Sequence, residues 1–240
     1  MKILLLGASL DSLLLASMLQ SKGHEVTLIE IEAEIGLPLH HPGRVIDVGL
    51  LSNYFSQDQL DFLSLKENLD GWGCRWEWIL KHMAHSVVLQ GVVCLLRTRV
   101  LDIQKNDSSF QVLISDNERD LPTHLVVDKV IDMERQHSTR PGKLTHVQST
   151  SNIMKYPFSK QEPWFGGMAL TSIVGDQQTS ADLTLEHADG LVELWWRGNP
   201  TWEPTNGFIE TCNIDLPSLV SEISFDAIVH RVDSFLLHVV

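Results

Sequence analysis

The opening stretch, "KILLLGASLDSLLLASMLQSKGHEVTLIE", constrains the fold more than any other part of the sequence. Residues 2–6 are a short apolar run that stops at Gly7, as a strand buried on both faces would. Apolar residues then fall at 10, 13, 14, 15, 18 and 19, which makes one broad helical face, and Gly23 supplies a C-terminal stop. Residues 24–30 return to strand composition. Strand, helix and strand in so short a span predict a βαβ unit with parallel strands and a right-handed crossover.

Such a unit is the start of a dinucleotide-binding domain when its loop carries G-x-G-x-x-G. There the glycines make the tight turn, admit the pyrophosphate and let helix and strand pack, while the helix N-terminus offers N–H groups to the phosphates. Here Gly7 is kept, and Ser9 and Ser12 take the second and third glycine positions. Ser12 is a mild change. Ser9 puts a side chain where a phosphate would lie, and Asp11 adds a negative charge nearby, or else caps the helix. One charge–charge repulsion at about 5 Å is roughly 3 kcal/mol at an effective dielectric near 20. Glu30 ends the second strand, where an acidic residue would hold an adenosine ribose, as for FAD or NAD. The loop also resembles the start of extended short-chain dehydrogenases; Tyr54 lacks the lysine four residues on that such enzymes need, and Tyr156 has Lys160 at that spacing.

Further along, residues 31–49 read as a long connection rich in Gly, Pro and His, and 54–70 as partly helical. Residues 71–86 begin with two glycines and turn helical near Trp76. The run 91–106 is predicted as a third parallel strand, 109–116 and 125–133 as a meander with a return strand at 129–133, and Asn106-Asp107 and Asp116-Asn117 as turns. From about 141 the texture changes. "YPFSKQEPWFGG" looks irregular, and "MALTSIVGD", "ADLTLEHAD", "LVELWWRGN" and "GFIETCNID" read as four strands of an antiparallel sheet.

The 31 acidic residues exceed the 18 basic ones, giving a charge of −13 that disfavours nucleic acid and anionic lipid as partners. No apolar run reaches the roughly 18–20 residues of a membrane span. The three cysteines lack metal-ligand spacing, so no metal site is expected, and buried thiols in a cytoplasmic protein are the default. His82 and His85 have no second ligand pair and are expected at the surface. No nucleophile elbow or P-loop occurs.

The loop "GLPLHHPG" after Glu30 resembles the G-x-P-x-x-C-x-G element of the geranylgeranyl reductase branch of FAD-dependent oxidoreductases, with Gly36, Pro38 and Gly43 matching and His41 in place of the cysteine. "LLRTRVLDIQKNDSSFQVLISD" is similar to that family's third strand and meander, and "LVVDKVIDM" to the segment that usually continues A-T-G, here replaced by Glu134 and Arg135. The resemblance implies an α/β fold. A Rossmann-type FAD/NAD(P)-binding domain with parallel sheet and antiparallel meander would occupy 1–140, with 46–75 able to pack on a second, antiparallel-sheet domain at 141–240.

The resemblance further implies FAD as cofactor, held by Gly7, Ser9, Ser12, Glu30, Arg44 and the backbone of Val100, with His41 near the chemistry. Trp195, Trp196 and Trp202 either line a pocket for an apolar substrate or pack the core. The family's late Gly-Asp landmark has only Gly175-Asp176 as a counterpart, and this reads as a hairpin turn. On that reading the flavin-facing half is missing. Two functions follow: a reduced FAD-dependent oxidoreductase, or a non-catalytic scaffold or subunit completed by a protein partner.

Overall fold

The computed structural model describes residues 1–36, 40–115, 124–134, 153–175 and 177–240. Pro38, Asp116, Asn117, Arg135 and Asp176, named above, lie outside the described residues. The chain forms two compact units, one from Met1–Ile35, Met83–Pro157 and Val232–Val240, the other from Gly36–His82 and Phe158–Arg231.

The first unit is built on the expected βαβ. Strands Lys2–Leu6 and Glu25–Ile29 pair in parallel around helix Leu10–Ser21. Four consecutive leucine and isoleucine side chains of the first strand are buried, which explains its unbroken apolar run. Lys129–Asp132 pairs in parallel with the other side of the first strand, Met154–Lys155 pairs with Lys129–Asp132, and Val93–Leu95 joins Glu25–Ile29, giving a five-stranded sheet. Strands Arg99–Lys105, Phe110–Ser115 and His124–Val127 form the antiparallel meander, whose inner side chains share a core with Leu4, Leu6 and Ile29. Near the C-terminus, Phe235 meets the ring of Tyr156 edge-on at 5.0 Å.

The single strand expected over 91–106 is two strands. Arg97 adopts a left-handed conformation (φ 53°) and its N–H donates to Glu32 O at 3.1 Å, so the chain turns out of the parallel sheet and into the meander. A non-glycine residue in that region is uncommon, and nothing in the local composition announces it.

The second unit centres on a four-stranded antiparallel sheet of Gln161–Leu170, Leu183–Glu186, Leu191–Arg197 and Glu210–Pro217, with Gln161–Leu170 and Leu191–Arg197 in the middle. The strand expected at 168–176 begins seven residues earlier, at Gln161, and ends in a one-turn helix, Thr171–Val174. Gly175 closes that turn at φ 47°. Pairing along both edges overrides the Pro- and Gly-rich composition of "QEPWFGG".

The paired glycines are required by space. A Cβ on Gly166 would lie 2.5 Å from the Trp195 ring, and one on Gly167 would lie 2.6 Å from the Phe208 ring. Successive residues face opposite sides of a sheet, so each glycine seats one aromatic ring on its own face. Trp195 belongs to the cluster of Trp164, Leu183 and Leu216, and Phe208 packs on that of Val192, Leu194 and Trp196. Trp195 and Trp196 are thus buried packing residues, and Trp202 is partly buried beside Phe208.

A smaller sheet of Arg44–Val45, Gly71–Gly73 and Lys66–Asn68 completes the second unit. The Asn68 amide acts as a strand edge: its Nδ2 donates to Glu186 O at 3.1 Å and its Oδ1 accepts from Glu186 N at 2.8 Å. Helix Gln57–Leu63 starts in a capping box of Ser56 and Gln59.

Candidate functional site

Gly7 sits at the end of the first strand with φ 91°, a conformation that glycine adopts without strain. Its N–H continues the ladder to Ile29 O at 2.8 Å. The chain then enters helix Leu10–Ser21, with Ser9 and not Asp11 as the N-cap. The Ser9 hydroxyl accepts from Ser12 N at 3.4 Å and lies 3.1 Å from the Ser12 hydroxyl. Asp11 is wholly buried, and Ser12 beside it is buried as well.

Glu30 stands next to this turn. One carboxylate oxygen accepts from Ala8 N at 2.8 Å and the other from Glu32 N at 3.0 Å. Each oxygen has a second acceptor site, and Glu30 is only half-buried, so the carboxylate can still receive hydroxyl donors. On the other side, Asp132 pairs with Leu6, and Met133 N donates to Leu6 O at 3.0 Å. Glu134 therefore runs alongside the turn: its Cγ is 3.2 Å from where a Gly7 Cβ would be. Asp132 is buried and accepts from Glu134 N at 3.0 Å. Burial pushes its carboxyl pKa up, against the opposing pull of that hydrogen bond and of Lys155. Val100 is fully buried in the meander core, just before an irregularity in its ladder.

His41 and Arg44 belong to the second unit. The His41 ring stacks on Trp76 at 4.1 Å, and its Nδ1 donates to Pro42 O at 2.9 Å. Arg44 donates through Nε to Asp70 O and through Nη1 to Val220 O, each at 2.8 Å. Burial lowers the Arg44 pKa, while Asp70 and Asp226 pull it back. The two glycines of the G-x-P loop are packing residues. A Cβ on Gly36 would come within 2.8 Å of Glu77 O, and one on Gly43 within 1.6 Å of Cys74 O.

A buried polar network of the second unit has no counterpart in the sequence reading. Glu193 accepts from Gly43 N at 3.0 Å and from Trp195 Nε1 at 2.9 Å, and its other oxygen is 3.3 Å from His187 Nε2. Glu193 and His187 are about 1% and 2% exposed. The available signal was a lone acid inside "LVELWW", since a charge in a strand buried on both faces requires partners. Cys74 lies within the influence of Glu193, and burial first, then that charge, pushes its thiol pKa up, so it stays protonated. Among the described residues no cluster of metal-ligating side chains occurs, and no helix is long and apolar enough to cross a membrane.

No family model matches the sequence, and no curated protein matches it at a significant level. Solved structures do share its fold. FqzB aligns with a TM-score of 0.53 and 16% identity over 82% of this chain and 54% of its own. CtdE, solved in complex with FAD and substrate, gives 0.51 and 10% over 84% and 58%. A flavoprotein/dehydrogenase from Cytophaga hutchinsonii gives 0.58 and 13% over 99% and 79%. The chain spans little more than half the length of FqzB and CtdE. The class defined is a mixed α/β fold with a parallel five-stranded sheet and separate antiparallel sheets. More particularly, it is the fold of FAD-binding flavoproteins.

FAD can be weighed against the residues at each end of its adenosine half. The ribose end fits, because Glu30 retains acceptor capacity beside the turn. The pyrophosphate end does not. The Ala8 and Ser12 N–H groups already have partners, and the side chain of Glu134 lies beside Gly7. A helix N-terminus attracts anions through free N–H groups and its dipole, and here neighbouring carboxylates oppose that attraction.

Proposed function

We propose that this chain is a non-catalytic protein of the flavoprotein fold, a scaffold or subunit that has given up dinucleotide binding. The observation that carries this reading is the Gly7 loop, where Glu30 accepts the Ala8 N–H at 2.8 Å and Ser9 caps the helix. The loop is complete without a phosphate. Purified protein is expected to be colourless and to show no thermal shift with excess FAD or NAD, since a ligand of the native state must stabilise it. Absorbance near about 450 nm, the signature of bound oxidised flavin, would overturn the reading.

A second reading has its own support in the position of Glu30 and the positive φ of Gly7. In it the chain is an FAD-dependent oxidoreductase acting on an apolar small molecule, nearest in its Gly36–Gly43 loop to the geranylgeranyl reductase branch. Gly7, Ser9, Ser12, Glu30 and Val100 would hold the adenosine half. Arg44 and His41 would serve the second unit, with His41 oriented by its stack on Trp76. The same absorbance and thermal-shift measurements separate the two.

A further inference from the structure

We infer that Glu134, set in place by Asp132, is the residue that shuts a pyrophosphate out of the Gly7 turn. The inference rests on the scaffold reading and names the cause behind it. Strand Lys129–Asp132 runs parallel to Lys2–Leu6 with Asp132 opposite Leu6, and the ladder is prolonged by Met133 N to Leu6 O. This prolongation carries the next residue past the sheet's end and against the glycine. Glu134 Cγ and N would lie 3.2 and 3.6 Å from a Gly7 Cβ, so the side chain begins in contact with the turn. The Asp132 carboxylate accepts the Glu134 N–H at 3.0 Å and fixes the backbone there. The Glu134 side chain thus meets the turn from the strand beside it, its backbone held by Asp132, and Glu30 lies on the opposite strand. A pyrophosphate brought to the turn would meet like charges in a partly buried setting, where screening is weak.

The other candidates are weaker excluders. The Ser9 hydroxyl is uncharged and turned toward Ser12. Asp11 is wholly buried within the first turn of the helix. The decisive change is therefore downstream in sequence, at the end of the fourth strand of the parallel sheet, and not in the glycine loop itself.

The test titrates ADP and FAD into the wild-type chain and into Ser9→Gly, Glu134→Ala and Asp132→Asn/Glu134→Ala variants, read by calorimetry and thermal shift. The wild type and Ser9→Gly are expected to stay unsaturated to about 1 mM ligand. The double variant is expected to gain at least about tenfold in affinity for both ligands, with Glu134→Ala intermediate. A folded double variant, checked by circular dichroism, that remains silent to both would overturn the inference and leave the scaffold reading standing. A gain in Ser9→Gly that exceeds the gain in the double variant would also overturn it. Wild-type protein that saturates with FAD would overturn both. Should the double variant not fold, Glu134→Gln asks the same question with its side-chain volume kept, and a smaller gain is expected.

Discussion

The turn at Gly7 and the turn at Gly43 use the same device in different surroundings. At each, a glutamate of the chain accepts a backbone N–H: Glu30 from Ala8, Glu193 from Gly43. Glu30 is half-buried. Glu193 is buried with two further partners, His187 and Trp195. Gly7 is needed for its backbone angle, Gly43 for the absence of a Cβ. A hydrogen bond near solvent can be lost to water at small cost. A buried charged one cannot be given up without leaving an unanswered charge. The first turn is thus adaptable and the second is fixed.

That contrast is open to measurement. Gly43→Ala drives a methyl into the Cys74 carbonyl and is expected to cost about 4 kcal/mol or more in chemical denaturation. A loss below about 1 kcal/mol would mean that the Gly43 turn is as adaptable as the Gly7 turn. Glu193→Ala strands three partners and should cost about 3 kcal/mol, with Glu193→Gln costing less. Glu30→Ala removes two hydrogen bonds at a half-exposed position, and a loss of about 1 kcal/mol is expected. If Glu30→Ala cost as much as Glu193→Ala, the contrast would be lost.

Asp132→Asn changes stability with pH. Burial raises the folded carboxyl pKa above its ordinary 3.8, so the folded state holds the proton more tightly than the unfolded chain does. That favours the fold at low pH, and the benefit is lost as pH rises through the raised value. Asn keeps an oxygen for Glu134 N and carries no charge. The variant should therefore melt higher than wild type near pH 7, and the difference should vanish as pH approaches 3.8. An unchanged difference across that range would break the assignment. Ser9→Gly, last in size, should cost only a few tenths of a kcal/mol, because glycine also serves as an N-cap.

The βαβ unit was legible because its apolar spacing follows directly from burial on both faces of a parallel strand. The return strand at Lys129–Asp132 and the antiparallel second sheet were legible for related reasons. The start of the strand Gln161–Leu170 was not, because its pairing partners are distant in sequence and outweigh its own Pro and Gly content. The geometry around Gly7 was half legible. Gly7 and Glu30 carry their own signals, but which residue caps the helix is decided by how Asp11 is buried and Ser9 is left at the N-cap. Glu134 was noted only as a departure from A-T-G; its approach to Gly7 comes from strand register, which a single sequence does not specify.

Gly166 and Gly167 have a consequence for how this sequence can change over generations. Each is held by a ring pressed onto its Cα, Trp195 on one side and Phe208 on the other. Neither glycine can acquire a side chain until the facing ring has first become smaller. Shrinking the ring first leaves a gap that weakens the fold. The order of substitutions is therefore forced through a less stable ancestor, and drift along the central strand should be slow even if no ligand ever touches it.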